Sequence, residues 1–127
     1  PLSIATDVGG GTSFSQLRTL SEAYKILQLQ GQRLHPLKGF YMATLGNAKA
    51  LKLDHLIGNF EKGKEADFIL LNMKATPLQA MRQQSATQLI EQLFALMMLG
   101  DEHSIERTYI MGKLAFRRAE GDVLWVE

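Results

Sequence analysis

The sequence predicts an α/β fold, and three observations predict it. A short apolar run at residues 2–6 leads into a glycine-rich loop. Apolar residues then recur at spacings of three and four, the signature of an amphipathic helix. The last quarter of the chain alternates apolar and polar residues between glycine turns, as paired strands do.

The elements follow in order. Residues 2–6 follow Pro1 and read as a buried strand. Ser13 with Gln16 three residues later has the form of a capping box. Leu17, Leu20, Tyr24 and Leu27 then form one helical face that stops at Gly31. Pro36 opens a second helical pattern through Leu37, Phe40, Tyr41 and Ala43 to Gly46, with a further turn or two over residues 47–51. Residues 53–64 hold Gly58 and Gly63 and read as loop or edge strand. Phe68, Ile69, Leu70 and Leu71 form a continuous β-prone run suited to a strand buried on both faces.

Residues 85–100 read as an inserted helix, with Ser85 and Gln88 as a second capping box, Leu89, Leu93, Leu96 and Met97 as its apolar stripe, and Gly100 as its stop. The tail is β. Ile105, Arg107, Tyr109 and Met111 alternate, Gly112 and Lys113 turn the chain, residues 114–118 return, and Gly121 and Asp122 precede a last strand at 123–126. A lone strand at 2–6 has no neighbour of similar quality for about 60 residues, so either it joins the β-rich half or, the favoured expectation, its sheet is completed by chain outside these residues.

Composition narrows the function. The 127 residues, 46% hydrophobic and 21% charged, suffice for a packed core. A net charge of +1, with 14 basic and 13 acidic residues scattered along the chain, argues against nucleic acid or an anionic membrane as partner. Absence of cysteine removes any disulfide framework. The most apolar stretch, residues 89–99, is interrupted by Glu91 and Gln92 and is too short to span a bilayer. The expectation is a soluble, cytoplasmic protein.

The candidate site is the loop T-D-V-G-G-G-T-S-F-S, residues 6–15. A glycine loop between strand and helix can cradle phosphate through its backbone N–H groups. Here Phe14 stands where a dinucleotide fingerprint wants Gly or Ala, no Gly-Lys-Ser/Thr occurs, and Asp7 would repel a phosphate. Asp7 has two readings: a carboxylate that satisfies backbone donors near the helix start, or a functional carboxylate at the C-terminal end of a barrel strand. His35, His55 and His103 lack metal-ligand spacing and read as surface or capping residues. Lys62, Lys64, Arg117 and Arg118 read as solvated turn charges, and Met97 and Met98 as core filling. Phe14 either faces a ligand or staples the helix start.

Three stretches carry a resemblance. Residues 5–15, ATDVGGGTSFS, with the A-T-x-G-x-A-x-x-L pattern at 43–51 and I-G-x-x-x-x-G-K-x-A-D-F at 57–68, resemble the C-terminal part of guanine deaminases, in the amidohydrolase superfamily. The closing IERTYIMGKLAF is similar to the hairpin of that family's small β-sandwich domain. The resemblance implies that residues 1–52 are the last βα unit of a (β/α)8 barrel with its short following helices. It implies that residues 53–127 are the C-terminal part of a composite β-sandwich carrying an inserted helix at about 85–99.

It also implies an activity, the hydrolytic deamination of guanine to xanthine and ammonia by a homodimer that holds one divalent ion, usually zinc, at each site. Asp7 matches the strand-8 aspartate, both metal ligand and catalytic proton relay. The family's His-x-His pair, its other metal histidines and its proton-shuttling glutamate match no position in these 127 residues. The chain by itself is therefore expected to hold metal poorly and to be inactive. Alternatives are a sister deaminase of another amino-substituted heterocycle, or a non-enzymatic module that self-associates through open strand edges.

Overall fold

The computed structural model describes residues 3–118 and 123–125. The predicted features at Pro1, Leu2, Gly121, Asp122 and Val126 lie outside them. Element order is α1 (Gln16–Leu29), α2 (Pro36–Ala43), α3 (Leu45–Ala50), β1 (Phe68–Leu71), α4 (Pro77–Gln84), α5 (Leu89–Leu99), a 3-10 turn (Glu102–Ser104), β2 (Ile105–Ile110), β3 (Lys113–Arg118) and β4 (Val123–Trp125).

The core lies between helices. Leu17 and Leu20 on α1 pack with Leu34 against Leu96 and Met97 of α5, with Tyr24 and Phe94 meeting edge to face at 5.2 Å beside them. Leu20, Leu96 and Met97 are essentially fully buried, and each such side chain contributes about 1.5–3 kcal/mol of apolar burial. A polar seam joins α4 to this core. Gln79, buried, donates to the Leu99 carbonyl at 2.8 Å, and Gln83 donates to the Gln92 carbonyl at 3.0 Å.

The sheet is antiparallel throughout, in the order β1-β2-β3-β4. Met111 (φ 50°) and Gly112 (φ 76°) form the two-residue β2–β3 turn, with both φ values positive as a type I′ hairpin requires. Asp67 accepts the Met111 N–H at 2.7 Å and the Ala66 carbonyl accepts that of Gly112 at 2.9 Å, so the A-D pair before β1 braces the hairpin. The turn therefore sits one residue earlier than the sequence suggested.

Five further expectations are corrected. Residues 3–6 form no strand, because among the described residues no other strand pairs with them. Helix α1 is capped by Ser15, which accepts the Arg18 N–H, while Ser13 accepts the Ser15 N–H and Gln16 turns back toward Ile4. The inserted helix predicted at 85–99 starts only at Leu89, and a separate, unpredicted helix, α4, precedes it. Ser85 closes α4, and α5 starts at Leu89, where the Glu91 carboxylate accepts the N–H groups of Thr87 and Gln88. Strand β1 is not covered on both faces: the consecutive Ile69 and Leu70, which point to opposite faces of the sheet, are both exposed, and among the described residues β1 has one edge unpaired. Finally, Lys64 and Arg118 are not free turn charges. Lys64 is 10% exposed and paired with Glu61 at 2.8 Å, and Arg118 donates to the Ile105 and Glu102 carbonyls.

Candidate active-site loop

Asp7 sits in the left-handed region at φ 49°, a conformation that Asp tolerates better than most residues. Its carbonyl accepts the N–H of Gly10 at 2.9 Å and of Gly11 at 2.6 Å, folding the loop back on itself. Glycine is obligatory at position 11, where a Cβ would lie 1.8 Å from the Thr6 carbonyl oxygen. At Gly10 a Cβ would lie 2.8 Å from Asp7 Oδ2, so the carboxylate rests over that glycine.

The main chain of Asp7 thus makes the turn, while its side chain makes no hydrogen bond or ion pair among the described residues and is exposed. Of the two readings of this residue, the backbone-capping one finds no donor. An open carboxylate on a fixed turn suits a divalent cation as one oxygen ligand, and among the described residues Asp7 joins no cluster of three potential ligands.

The loop borders a groove of 470 Å³ lined by Val8, Gly9, Gly11, Phe14, Arg18 and Glu102, among others. Phe14 is 82% exposed and staples nothing. Next to Glu102, Asp101 caps the 3-10 turn, accepting the His103 N–H at 2.9 Å and pairing with Arg18 at 3.2 Å. Burial pushes the Asp101 carboxyl up, but bonds from the His103 N–H, the His103 ring and Arg18 outweigh it and hold the group below the usual carboxylate range. Asp101, Glu102 and His103 lie close together, but Asp101 is already committed to the turn and to Arg18. His35 stands exposed at the start of α2 without a side-chain cap bond, and His55 is exposed.

Two residues hold the loop: Gln16, which the sequence assigned to a capping box instead, and Asn47, which it assigned no site role. Asn47 and Gln16 both bond the backbone of Ile4, three residues before Asp7.

The sequence profile of the Amidohydrolase family matches residues 1–115. The chain belongs to the amidohydrolase family. It is 55% identical over 115 residues to guanine deaminase of Escherichia coli K12, covering 91% of this chain and 26% of that protein. It is 36% identical over 121 residues to human guanine deaminase, covering 88% and 27%. Among solved structures of amidohydrolases, E. coli guanine deaminase superposes with a TM-score of 0.87 at 55% identity, over 90% of this chain and 27% of that one. Guanine deaminase from Bradyrhizobium japonicum gives 0.74 at 33% identity, over 92% and 31%. The chain thus spans about a quarter of the length of the relatives it matches, and its mixed helix and strand architecture is theirs.

Proposed function

We propose that this chain is the C-terminal part of a guanine deaminase and contributes Asp7 to the active site. The observation that carries the proposal is the exposed, unpartnered Asp7 carboxylate, held on a glycine turn in a chain this similar to guanine deaminases. In the whole enzyme, residues 3–6 join a (β/α)8 barrel as its last strand. The bare edge of β1, with Ile69 and Leu70 exposed, is covered as the β-sandwich is completed. The same reading makes the enzyme a cytoplasmic homodimer of purine catabolism. Consistent with it, no helix among the described residues is long and apolar enough to cross a membrane.

In the reaction, water adds to C2 of guanine, a C–O bond forms, the C2–N bond breaks, and xanthine and ammonia leave. A divalent ion, zinc in this reading, would lower the pKa of a water at such a site, and Asp7 would offer one carboxylate oxygen as one of its ligands. The other oxygen accepts the proton that the attacking water gives up and passes it to the departing amine. The glycine turn fixes where that carboxylate points.

The test is ammonia release from guanine by the full-length protein, with adenine and cytosine as competing substrates. Guanine is the expected substrate, and Asp7→Ala should lower turnover by ~100-fold or more, the usual share of a positioned proton-transfer group. Preference for another heterocycle would instead make it a sister deaminase. Near-normal turnover in Asp7→Ala would overturn the assignment of that residue.

A further inference from the structure

Residues 3–6 belong to no helix or strand, yet one of them is held by three hydrogen bonds from two side chains. Asn47 Oδ1 accepts the Ile4 N–H at 2.9 Å, and Asn47 Nδ2 donates to the Ile4 carbonyl at 2.8 Å. Gln16 Nε2 donates to the same carbonyl at 2.8 Å. The Asn47 amide thereby does for Ile4 what a facing residue does in an antiparallel ladder, matching both backbone groups of one residue at once. The contact reaches across 43 positions of sequence, from α3 to the segment that bears Asp7.

The consequence is geometric. Ile4 and Gln16 are tied to each other and bracket the loop that carries Asp7, while Asn47 ties Ile4 to α3. Three residues of chain reach at most about 11 Å, so fixing Ile4 limits where Asp7 can go. An aliphatic side chain at position 47 could cover as much apolar surface. Only a group that both donates and accepts can fix the segment's position along its own axis.

We propose that Asn47 is a positioning residue for the metal-ligating carboxylate of Asp7, acting through the backbone of Ile4. The proposal rests on the reading of Asp7 given above. Residues that orient a ligand typically change metal affinity or activity by 10–100-fold when removed.

The experiment uses the full-length protein with Asn47→Ala, Asn47→Asp, Asp7→Ala and the Asn47→Ala/Asp7→Ala double variant. Zinc affinity is measured by chelator competition, thermal unfolding is followed on the same samples, and kcat and KM are measured for guanine. Asn47→Asp keeps the size and the acceptor but sets an oxygen against the Ile4 carbonyl. If Asn47→Ala does not fold, Asn47→Asp carries the test. A folded variant should bind zinc at least ~10-fold more weakly and lose kcat with KM little changed. In the Asp7→Ala background, removing Asn47 should cost no further zinc affinity.

Wild-type zinc affinity and kcat in a folded Asn47 variant overturn the proposal, as does a full further loss in the double variant. Failure of both single variants to fold also overturns it, by making Asn47 a general stability residue. Retention of zinc and turnover in Asp7→Ala overturns the reading of Asp7 instead. Their loss there, with Asn47→Ala unchanged, overturns only the positioning role.

Discussion

The Gln79 amide and the Ser104 hydroxyl hydrogen-bond at 3.1 Å with both side chains almost wholly out of solvent. The same amide nitrogen reaches the Leu99 carbonyl, and Gln79 Oε1 accepts the Thr76 N–H at the start of α4. One side chain therefore satisfies polar groups on α4, α5 and the 3-10 turn. Gln79→Leu leaves those partners buried and unpaired, at a cost of about 1–3 kcal/mol. Ser104→Ala removes one bond of the set and should cost less, about 1 kcal/mol. Melting midpoints of the full-length protein should fall in that order, and equal midpoints would refute the accounting.

The three glycines after Asp7 should respond differently to alanine. At Gly11 a Cβ overlaps the Thr6 carbonyl, so the backbone must move and the loop is lost. At Gly10 the clash is with the Asp7 carboxylate, which can swing aside; metal affinity should fall with little change in melting. At Gly9 (φ 99°) nothing lies within 4 Å, and the cost is backbone strain of roughly 1–2 kcal/mol. Turnover in the full-length enzyme should rank Gly9→Ala above Gly10→Ala above Gly11→Ala. Any other order would show that the loop is built differently.

How legible the chain was depended on whether the signal was local. Helix α1, the core of α5 and the hairpin were readable, because the stripe through Leu17 and Leu20 and the Gly112 turn each lie within one short window. Helix α4 was not, because its inward positions are Gln79 and Gln83 and no apolar stripe marks its face. Its Thr76–Gln79 capping box was the available signal. The Ser13–Gln16 pattern misled, since Gln16 spends its amide on Ile4. Residues 2–6 have strand composition, but a strand needs a partner, and composition does not say whether one is present. Asp7 stood out as the lone acid in a glycine loop, whereas Asn47 acts on backbone 43 positions away, where no pattern of spacing points.

Met111 occupies a left-handed position that costs a side-chain-bearing residue about 1–2 kcal/mol, and it is largely exposed. Met111→Gly, or Met111→Asn, should therefore stabilise the protein by about 1 kcal/mol without touching turnover. Asp67→Ala removes the acceptor for the N–H of the same residue and should cost about 1 kcal/mol. Chemical denaturation midpoints check both. A destabilised Met111→Gly would mean that the methionine side chain contributes more than its backbone costs.

Asp101 links the start of α1 to the 3-10 turn, and its ionisation should be visible in acid. Burial raises its carboxyl, but the His103 N–H, the His103 ring and Arg18 lower it further than burial raises it, so the folded pKa lies below the unfolded value of about 3.9. A depressed folded pKa stabilises fully above the unfolded value, and that stability is lost as pH falls through the folded one. Asp101→Asn keeps the shape but cannot titrate. At neutral pH the wild type should melt above the variant. As pH falls below about 3.9 the gap should close, because the wild-type carboxyl then takes up the proton that its partners disfavour. A gap that stays constant into acid would mean that Asp101 acts through shape alone and that its pairing with Arg18 contributes nothing to the fold.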